Sequence, residues 1–361
     1  MLRNVVVDLI VIGGGLSGLT VAFRAARAGA RVLVLESSAR FGGQLETERQ
    51  RGFVVEQGAE GFVAGSEAMQ QLAEQLGIAE RVVEQQELRS YGFDGNALSS
   101  LAPGEAARFL GFQVAAKELG RGIRAFRGGM QDLIDALVGD LASRVTLRTR
   151  AAVRFVEPLG EGVRLMLGDG EERAAAVVVA TPALPAAGLL EDAFGAPARA
   201  LRAAALSSSV TVSLAYQRSL IEHPLDASGF VMAENAQKDG FRACAFSSSK
   251  LPSRAPSSHA LVRLFFRPNT EDLARLDDAA WRERAERSLG AVLPLRGPAE
   301  EGWVARWPDA LPVFDAEQRS RVAALEQTLA SSRVRLAGSA FHGSGIDAAV
   351  RSAFRVSDSL A

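Results

Sequence analysis

The chain has 361 residues with 41 Lys plus Arg against 42 Asp plus Glu, and its net charge of −1 gives it no electrostatic reason to engage nucleic acid or an acidic membrane surface. Hydrophobic residues make up 48%, too many for a disordered chain and ample for roughly two domains of about 150 residues each. Cys244 stands alone and the histidines His223, His259 and His342 are scattered, which rules out a disulfide framework or a Cys/His metal spacing. The lone thiol suits a reducing compartment, so a cytoplasmic location is expected.

Residues 5–12 form an apolar run interrupted by Asp8, too short to span a bilayer and without a cleavage site after it. No later stretch reaches the roughly 18 uncharged apolar residues of a spanning helix, so no transmembrane segment is expected. The run predicts a strand buried on both faces.

Gly13-Gly14-Gly15-Leu16-Ser17-Gly18 follows at once and satisfies G-x-G-x-x-G. Leu16, Leu19, Phe23 and Ala26 then recur at helical spacing, and Gly29 sits where a helix would close in a left-handed cap. A second strand, residues 31–35, ends in Glu36, 18 residues after Gly18. Each part has a physical task. The first glycine permits a tight turn, the second lets backbone approach a pyrophosphate, and the third lets helix pack on strand. The acid accepts hydrogen bonds from ribose hydroxyls. A bare glycine triad would fit an ordinary loop equally well; strand, turn, helix and acid in this order read as a dinucleotide site.

Directly after the acid, residues 37–47 carry a second glycine pair, Gly42-Gly43. Alone it would be an ordinary turn. Here it lies where a cofactor stretched along the strand ends would meet it, and a simple NAD domain has no need of it. Arg40, Gly42, Gly43 and Thr47 resemble the second motif of the flavoprotein amine oxidase superfamily, close to R-x-G-G-R-x-x-T. Gln44 stands in place of the motif's second arginine, which implies weaker hold on the cofactor phosphates. Residues 56–60, Glu-Gln-Gly-Ala-Glu, resemble the family's next flavin loop. The resemblance implies FAD bound along Gly13, Gly15, Leu16, Ser17, Gly18, Glu36, Ser37, Arg40, Gly42, Gly43, Gln44, Gln57, Gly58, Ala59 and Glu60. Non-covalent binding is expected, because no Ser-Gly-Gly-Cys attachment segment occurs and Cys244 sits in Arg-Ala-Cys-Ala-Phe.

Within that superfamily, residues 35–40, 54–58, 126–130 and 246–252, with Arg254-Ala255-Pro256, look like oxygen-dependent protoporphyrinogen oxidases. Residues 306–314 resemble the tryptophan and proline segment of that family, with Phe314 at a substrate-facing position where a tyrosine is common. The likeness runs from residue 5 to the C-terminus with one interruption.

From Gly128 the chain reads as a helix followed by strands at 145–147, 163–167 and 174–180. The resemblance puts Val153 in the meander beside the adenine, while a plain core role also fits it. Residues 336–347, Leu-Ala-Gly-Ser-Ala-Phe-His-Gly-Ser-Gly-Ile-Asp, precede a last helix through Phe354. Glycines before a helix leave its first N–H groups free for an anion or a flavin carbonyl. The resemblance therefore adds Gly338, Ser339, Ser344, Gly345 and Ile346 to the cofactor site, with Ser339 where Asn or Asp is common. It brings His342 near the flavin; a surface histidine at a helix entry fits as well.

A flavin carries the electrons itself, so few side chains are obligatory. The family resemblance implies hydride transfer from a cyclic, tetrapyrrole-like substrate to flavin N5, with O2 as acceptor. A porphyrinogen would need a cation for its propionates and apolar walls for its ring. Arg89 stands where relatives carry an arginine proposed to bind a propionate, although a solvated loop arginine fits too. Two other functions stay open: an amine or other small-molecule flavin oxidase, and a non-catalytic flavin- or tetrapyrrole-binding protein. Amine oxidases commonly place a lysine in the strand at 209–216, and here Val212 aligns with it.

The interruption falls between Leu101 and Phe126, where only Ala102-Pro103-Gly104 and one amphipathic stretch, residues 105–119, replace a large helical lobe of full-length relatives. Loss of that lobe would remove one wall of the cavity and most of a peripheral membrane contact surface. It also leaves room for a homo-oligomer or partner chain over the opening. The expected architecture is α/β in an α+β two-domain arrangement. A discontinuous Rossmann-like FAD-binding domain, residues 1–88, 126–190 and 325–361, joins a reduced mixed-sheet substrate domain, residues 89–125 and 191–324. Strands at 206–216, 229–233, 242–247 and 260–266 and a helix at 277–289 are expected in the latter.

Overall fold

The computed structural model describes residues 7–102, 104–109 and 121–360. The first expected strand is β1 (Val7–Ile12), with Val5 and Val6 outside the described residues, followed by α1 (Leu16–Arg27) and β2 (Val32–Leu35). Gly29, just beyond α1, has φ 93°, the left-handed cap its position predicts. β3 (Thr47–Gln50) and β4 (Phe53–Glu56) make a hairpin of their own. β5 (Phe62–Val63), α2 (Glu67–Gln75) and β6 (Val82–Glu84) come next. A second hairpin, β7 (Tyr91–Phe93) and β8 (Leu98–Ser100), precedes α3 (Glu105–Phe109). Of the amphipathic stretch expected at 105–119, residues 110–119 lie outside the described residues.

β9 (Ile123–Phe126) then pairs with both β5 and β6. α4 (Gln131–Leu141) and β10 (Thr146–Arg148) lead into the meander β11 (Val153–Leu159), β12 (Gly162–Leu167) and β13 (Glu171–Val179). α5 (Ala183–Arg199) kinks where Gly195 takes φ 61°. The second large sheet is built from β14 (Leu206–Gln217), β15 (Gly229–Met232), β16 (Phe241–Ala245) and β17 (His259–Phe266), with the short α6 (Ser247–Lys250) between the last two. α7 (Thr270–Arg275), α8 (Asp278–Gly290) and β18 (Glu301–Pro312) complete that half. The chain returns through α9 (Ala316–Leu329), β19 (Val334–Leu336), α10 (Ser339–His342) and α11 (Ile346–Asp358).

The first sheet has the order β10-β2-β1-β13-β12-β11, with β19 also on β13. β10, β2, β1, β13 and β19 run parallel, as right-handed strand–helix–strand units require, and the meander adds the antiparallel edge. Its two faces are covered separately. Leu9, Val11 and Val34 pack against α1, α4 and α11; Ile10, Ile12 and Leu33 pack against the meander, α5 and α9. The second sheet has the order β18-β14-β17-β16-β15-β7-β8, antiparallel except where β7 meets β15, and α8 buries Trp281 against it.

The tryptophan and proline segment lies in β18, a 12-residue strand paired along β14; Pro308 is tolerated because β18 is the outer strand of the sheet, where no ladder partner needs its missing N–H. α5 runs across position 190 and α9 across position 324, and α5 packs on β11 and α9. No helix among the described residues is long and apolar enough to cross a membrane.

Candidate functional site

The parallel strands β1, β2, β13 and β19 end together, and the loops leaving them converge at that edge, the place where open α/β sheets bind ligands. Gly15 caps α1 with extended backbone and no side-chain hydrogen bond, and the first turn carries no acid, so the helix dipole faces outward unopposed. Gly42 donates its N–H to the Gly14 carbonyl at 2.8 Å, drawing the second glycine turn onto the first. Gly43 has φ 57°, and a Cβ built on it would lie 3.2 Å from the Gly15 Cα. The two turns thus form a floor free of side chains at the α1 N-terminus.

Glu36 closes this floor. Its Oε2 accepts from the Gly14 N–H and its Oε1 from the Ser38 N–H, both at 2.7 Å, which fixes the half-buried carboxylate at the end of β2; Ser37 is exposed beside it. From the other side, α11 begins after Gly345, again with no side-chain cap. Ser344 and Gly345 are exposed and Ile346 is buried. Gly338 donates its N–H to Ser352 Oγ at 2.8 Å, and Ser17 donates its hydroxyl to the Ala349 carbonyl at 3.2 Å, so α1 and α11 meet with their N-termini at one edge. The acid in the first turn of α11, Asp347, is engaged by Ser66 and Arg351.

The loop at 57–60 lies against the same turns. A Cβ on Gly58 would fall 1.8 Å from the Gln44 carbonyl oxygen, so only glycine permits this approach. Trp307 of β18 donates its indole N–H to the Gln57 carbonyl at 2.7 Å, and the Gln44 amide reaches the Ala310 carbonyl. Arg263 of β17 donates from one terminal nitrogen to the carbonyls of Gly58 at 2.8 Å and Gln57 at 3.2 Å. The second sheet therefore holds the loop by three polar links.

Behind the loop sits a buried charge network that sequence reasoning missed. Glu56 and Arg254 face each other at 3.2 Å with side chains 3% and 1% exposed. Glu56 also accepts from the Thr47 hydroxyl and the Met130 N–H, yet burial pushes its carboxyl up against those pulls. Glu60 pairs with Lys250 at 2.7 Å; burial raises its carboxyl too, but Lys250 and Arg263 outweigh it and hold the group below the ordinary range. The available signal was a charge inside an apolar strand, such as Arg263 in His-Ala-Leu-Val-Arg-Leu-Phe-Phe.

Several expected site residues have other partners. Arg40 spends its guanidinium on the carbonyls of Phe41, Gly43 and Leu45 and on Glu46, so it clamps its own turn. Exposed Arg89 pairs with Asp226 at 3.0 Å, which also accepts from the Tyr91 hydroxyl. Half-buried Phe314 follows β18 under the Arg319 guanidinium. Val153 starts β11, paired with Leu167. Ser339 opens α10, and His342, whose side chain is 9% exposed, is held between Ser352 at 2.6 Å and Glu326 at 2.8 Å.

Two glycine turns, an acid at the second strand end and two uncapped helix N-termini suit an elongated, doubly anionic dinucleotide. The profile of the flavin containing amine oxidoreductases matches residues 81–361, and that of the NAD(P)-binding Rossmann-like domain matches residues 11–76. The chain belongs to the flavin containing amine oxidoreductase family. It is an FAD-dependent oxidoreductase with the mixed α/β fold of that family.

Among its relatives, a coproporphyrinogen III oxidase of Propionibacterium freudenreichii is 28% identical, across 98% of this chain and 90% of the relative. That alignment spans 485 residues, more than the whole chain, so the relative carries stretches without a counterpart here. A coproporphyrinogen III oxidase of Bacillus subtilis is 26% identical over 69% of this chain and 53% of its own length. Two solved structures share the fold. One, from Exiguobacterium sp. 255-15 and provisionally described as a protoporphyrinogen oxidase, has TM-score 0.83 and 20% identity, covering 98% of each chain. The other, cyclohexylamine oxidase from Brevibacterium oxydans, has TM-score 0.77 and 16% identity at the same coverage.

Proposed function

We propose that this family member oxidises a porphyrinogen, with non-covalent FAD as the hydride acceptor and O2 as the final oxidant. The observation that supports this reading best is the likeness to a coproporphyrinogen III oxidase along 98% of the chain, through both sheets. When bound, FAD supplies a two-electron acceptor at N5 and returns the electrons to O2 as hydrogen peroxide.

In this proposal Gly15, Leu16, Ser17 and Gly18, with Gly43 and Gln44, hold the pyrophosphate through backbone N–H groups at the start of α1, while Gly13 and Gly42, whose N–H groups go to the Leu35 and Gly14 carbonyls, shape the two turns that let it approach. Glu36 and Ser37 hold the ribose, and Val153 borders the adenine. Gln57, Gly58, Ala59 and Glu60 position the ring from one side, while Gly338 and Ser339 at the start of α10 and Ser344, Gly345 and Ile346 at the α11 N-terminus meet it from the other. Arg40 acts by keeping the second glycine turn closed. The polar links from Trp307 and Arg263 keep the 57–60 loop in place. Phe314 offers an apolar surface to the substrate. A propionate reaching Arg89 competes with Asp226 for the same guanidinium. The chain divides into a cofactor half and a substrate half, and α5 and α9, packed on the first sheet, belong to the cofactor half.

Anaerobic addition of coproporphyrinogen III to the purified, FAD-loaded protein tests the reading. Bleaching of the flavin bands, their return in air, and the appearance of porphyrin fluorescence with peroxide are expected. Bleaching by amines or cyclic imines but not by porphyrinogens would replace the assignment with amine oxidation. Ligand-induced spectral shifts without peroxide would mark a binding protein.

A further inference from the structure

Between β4 and the second sheet, behind the 57–60 loop, lies a small cavity of about 10 Å³, the room one water-sized particle needs. Its wall includes Glu56, Glu60, Ser213, Ser247, Arg254 and Arg263. Arg254 is 1% exposed; its Nη2 faces Glu56 Oε1 at 3.2 Å, and its Nε and Nη1 have no hydrogen-bond partner among the described residues; Nε of Arg263, a residue 4% exposed, has none either. Three guanidinium nitrogens without an acceptor, on two buried arginines that line one cavity, are a heavy cost unless an acceptor meets them.

The charges point the same way. Glu60 is served by Lys250 and Glu56 faces Arg254, while Arg263 is spent on neutral acceptors, the Gln57 and Gly58 carbonyls and the Thr211 hydroxyl. Three cations against two carboxylates leave one positive charge in excess, and protonation of Glu56 would raise the excess further. A water could accept from the arginines but would leave that charge buried and uncompensated.

We propose that this cavity is a binding site for a single small monovalent anion such as chloride, held by Arg254 and Arg263 with the hydroxyl of Ser213, while the Ser247 hydroxyl donates to Glu60. The ion neutralises the seam where β4 and the 57–60 loop meet β14, β17 and α6, and so fastens the two halves together. The site stands on its own residues and does not depend on which substrate the protein oxidises.

Crystals of the FAD-loaded protein soaked in sodium bromide should show an anomalous peak in this cavity beside the Arg254 guanidinium. In solution, sodium chloride should raise the unfolding midpoint saturably, by roughly 3–6 °C, where sodium gluconate at equal ionic strength does not. Ser213→Val, which fills the cavity while keeping every charge, should abolish the chloride-specific part; Arg254→Met should do the same if it folds. Density for water with no bromide peak overturns the proposal whatever the melting data show, and so does equal stabilisation by chloride and gluconate.

Discussion

At the scale of single residues, Glu36 shows how much follows from position alone. Its place after an apolar strand and 18 residues beyond Gly18 predicts a carboxylate at the end of β2, and the structure adds what orients it, the Gly14 and Ser38 N–H groups. Glu36→Ala should weaken FAD binding by about 1.5–3 kcal/mol, or roughly 10- to 150-fold in Kd, because ribose hydroxyls lose an ionised acceptor. A fluorescence titration with FAD measures it, and an unchanged Kd would reject the proposed register. Glu60 offers a test by pH. It is held below its ordinary range in the folded chain, so the unfolded chain binds more protons there. Its contribution is therefore complete above the ordinary glutamate value and lost as pH falls through the depressed one. Glu56 has the opposite sign, its contribution present at low pH and lost as pH rises through the raised value. Denaturant titrations across the acid range should find a shallower loss of stability in Glu60→Gln than in the unmodified protein. Lys250→Met, which leaves a buried carboxylate with less support, should cost about 3–5 kcal/mol. None of this pairing could be read along the chain, since Glu60 and Lys250 lie 190 positions apart.

At the scale of elements, periodicity served the cofactor half well. Buried parallel strands are continuous apolar runs with glycine punctuation, so β1, β2, α1 and α11 stand close to where composition puts them. β18 was harder, because an outer strand with Trp303, Trp307, Pro308 and Asp309 alternates poorly and resembles a loop. Its tertiary role is clear: Trp307 reaches across to the Gln57 carbonyl. Trp307→Phe keeps the ring and removes that donor, leaving a carbonyl short of a partner at a cost of about 1–3 kcal/mol. The expected readout is faster FAD release in stopped-flow dilution, with little change in the far-ultraviolet spectrum. Gly58→Ala should act more severely, since its methyl meets the Gln44 carbonyl and must push the two loops apart. If Gly58→Ala retained FAD normally, the loops would not pack as described.

At the scale of the whole molecule, two large sheets have separate cores, and a polar seam joins β4 and the 57–60 loop to the second. Cys244 lies in the core of the second sheet, 2% exposed, and burial pushes its thiol well above the ordinary range. Alkylation of native protein should therefore be negligible and should appear only as denaturant opens the sheet, so that the rate of labelling reports unfolding of that half. Rapid labelling without denaturant would show that the second sheet opens independently of the first.

The sequence by itself determined the cofactor class, the strand–turn–helix that receives a pyrophosphate, and the family, because these depend on glycines and apolar periodicity within short windows of chain. Tertiary structure alone decided that Arg40 clamps a turn, that Arg89 faces Asp226, that His342 is held between Ser352 and Glu326, and that Arg254 and Arg263 share a buried cavity with two glutamates. Partners of long polar side chains are chosen by which elements the fold brings together, and those partners come from segments that local pattern does not connect.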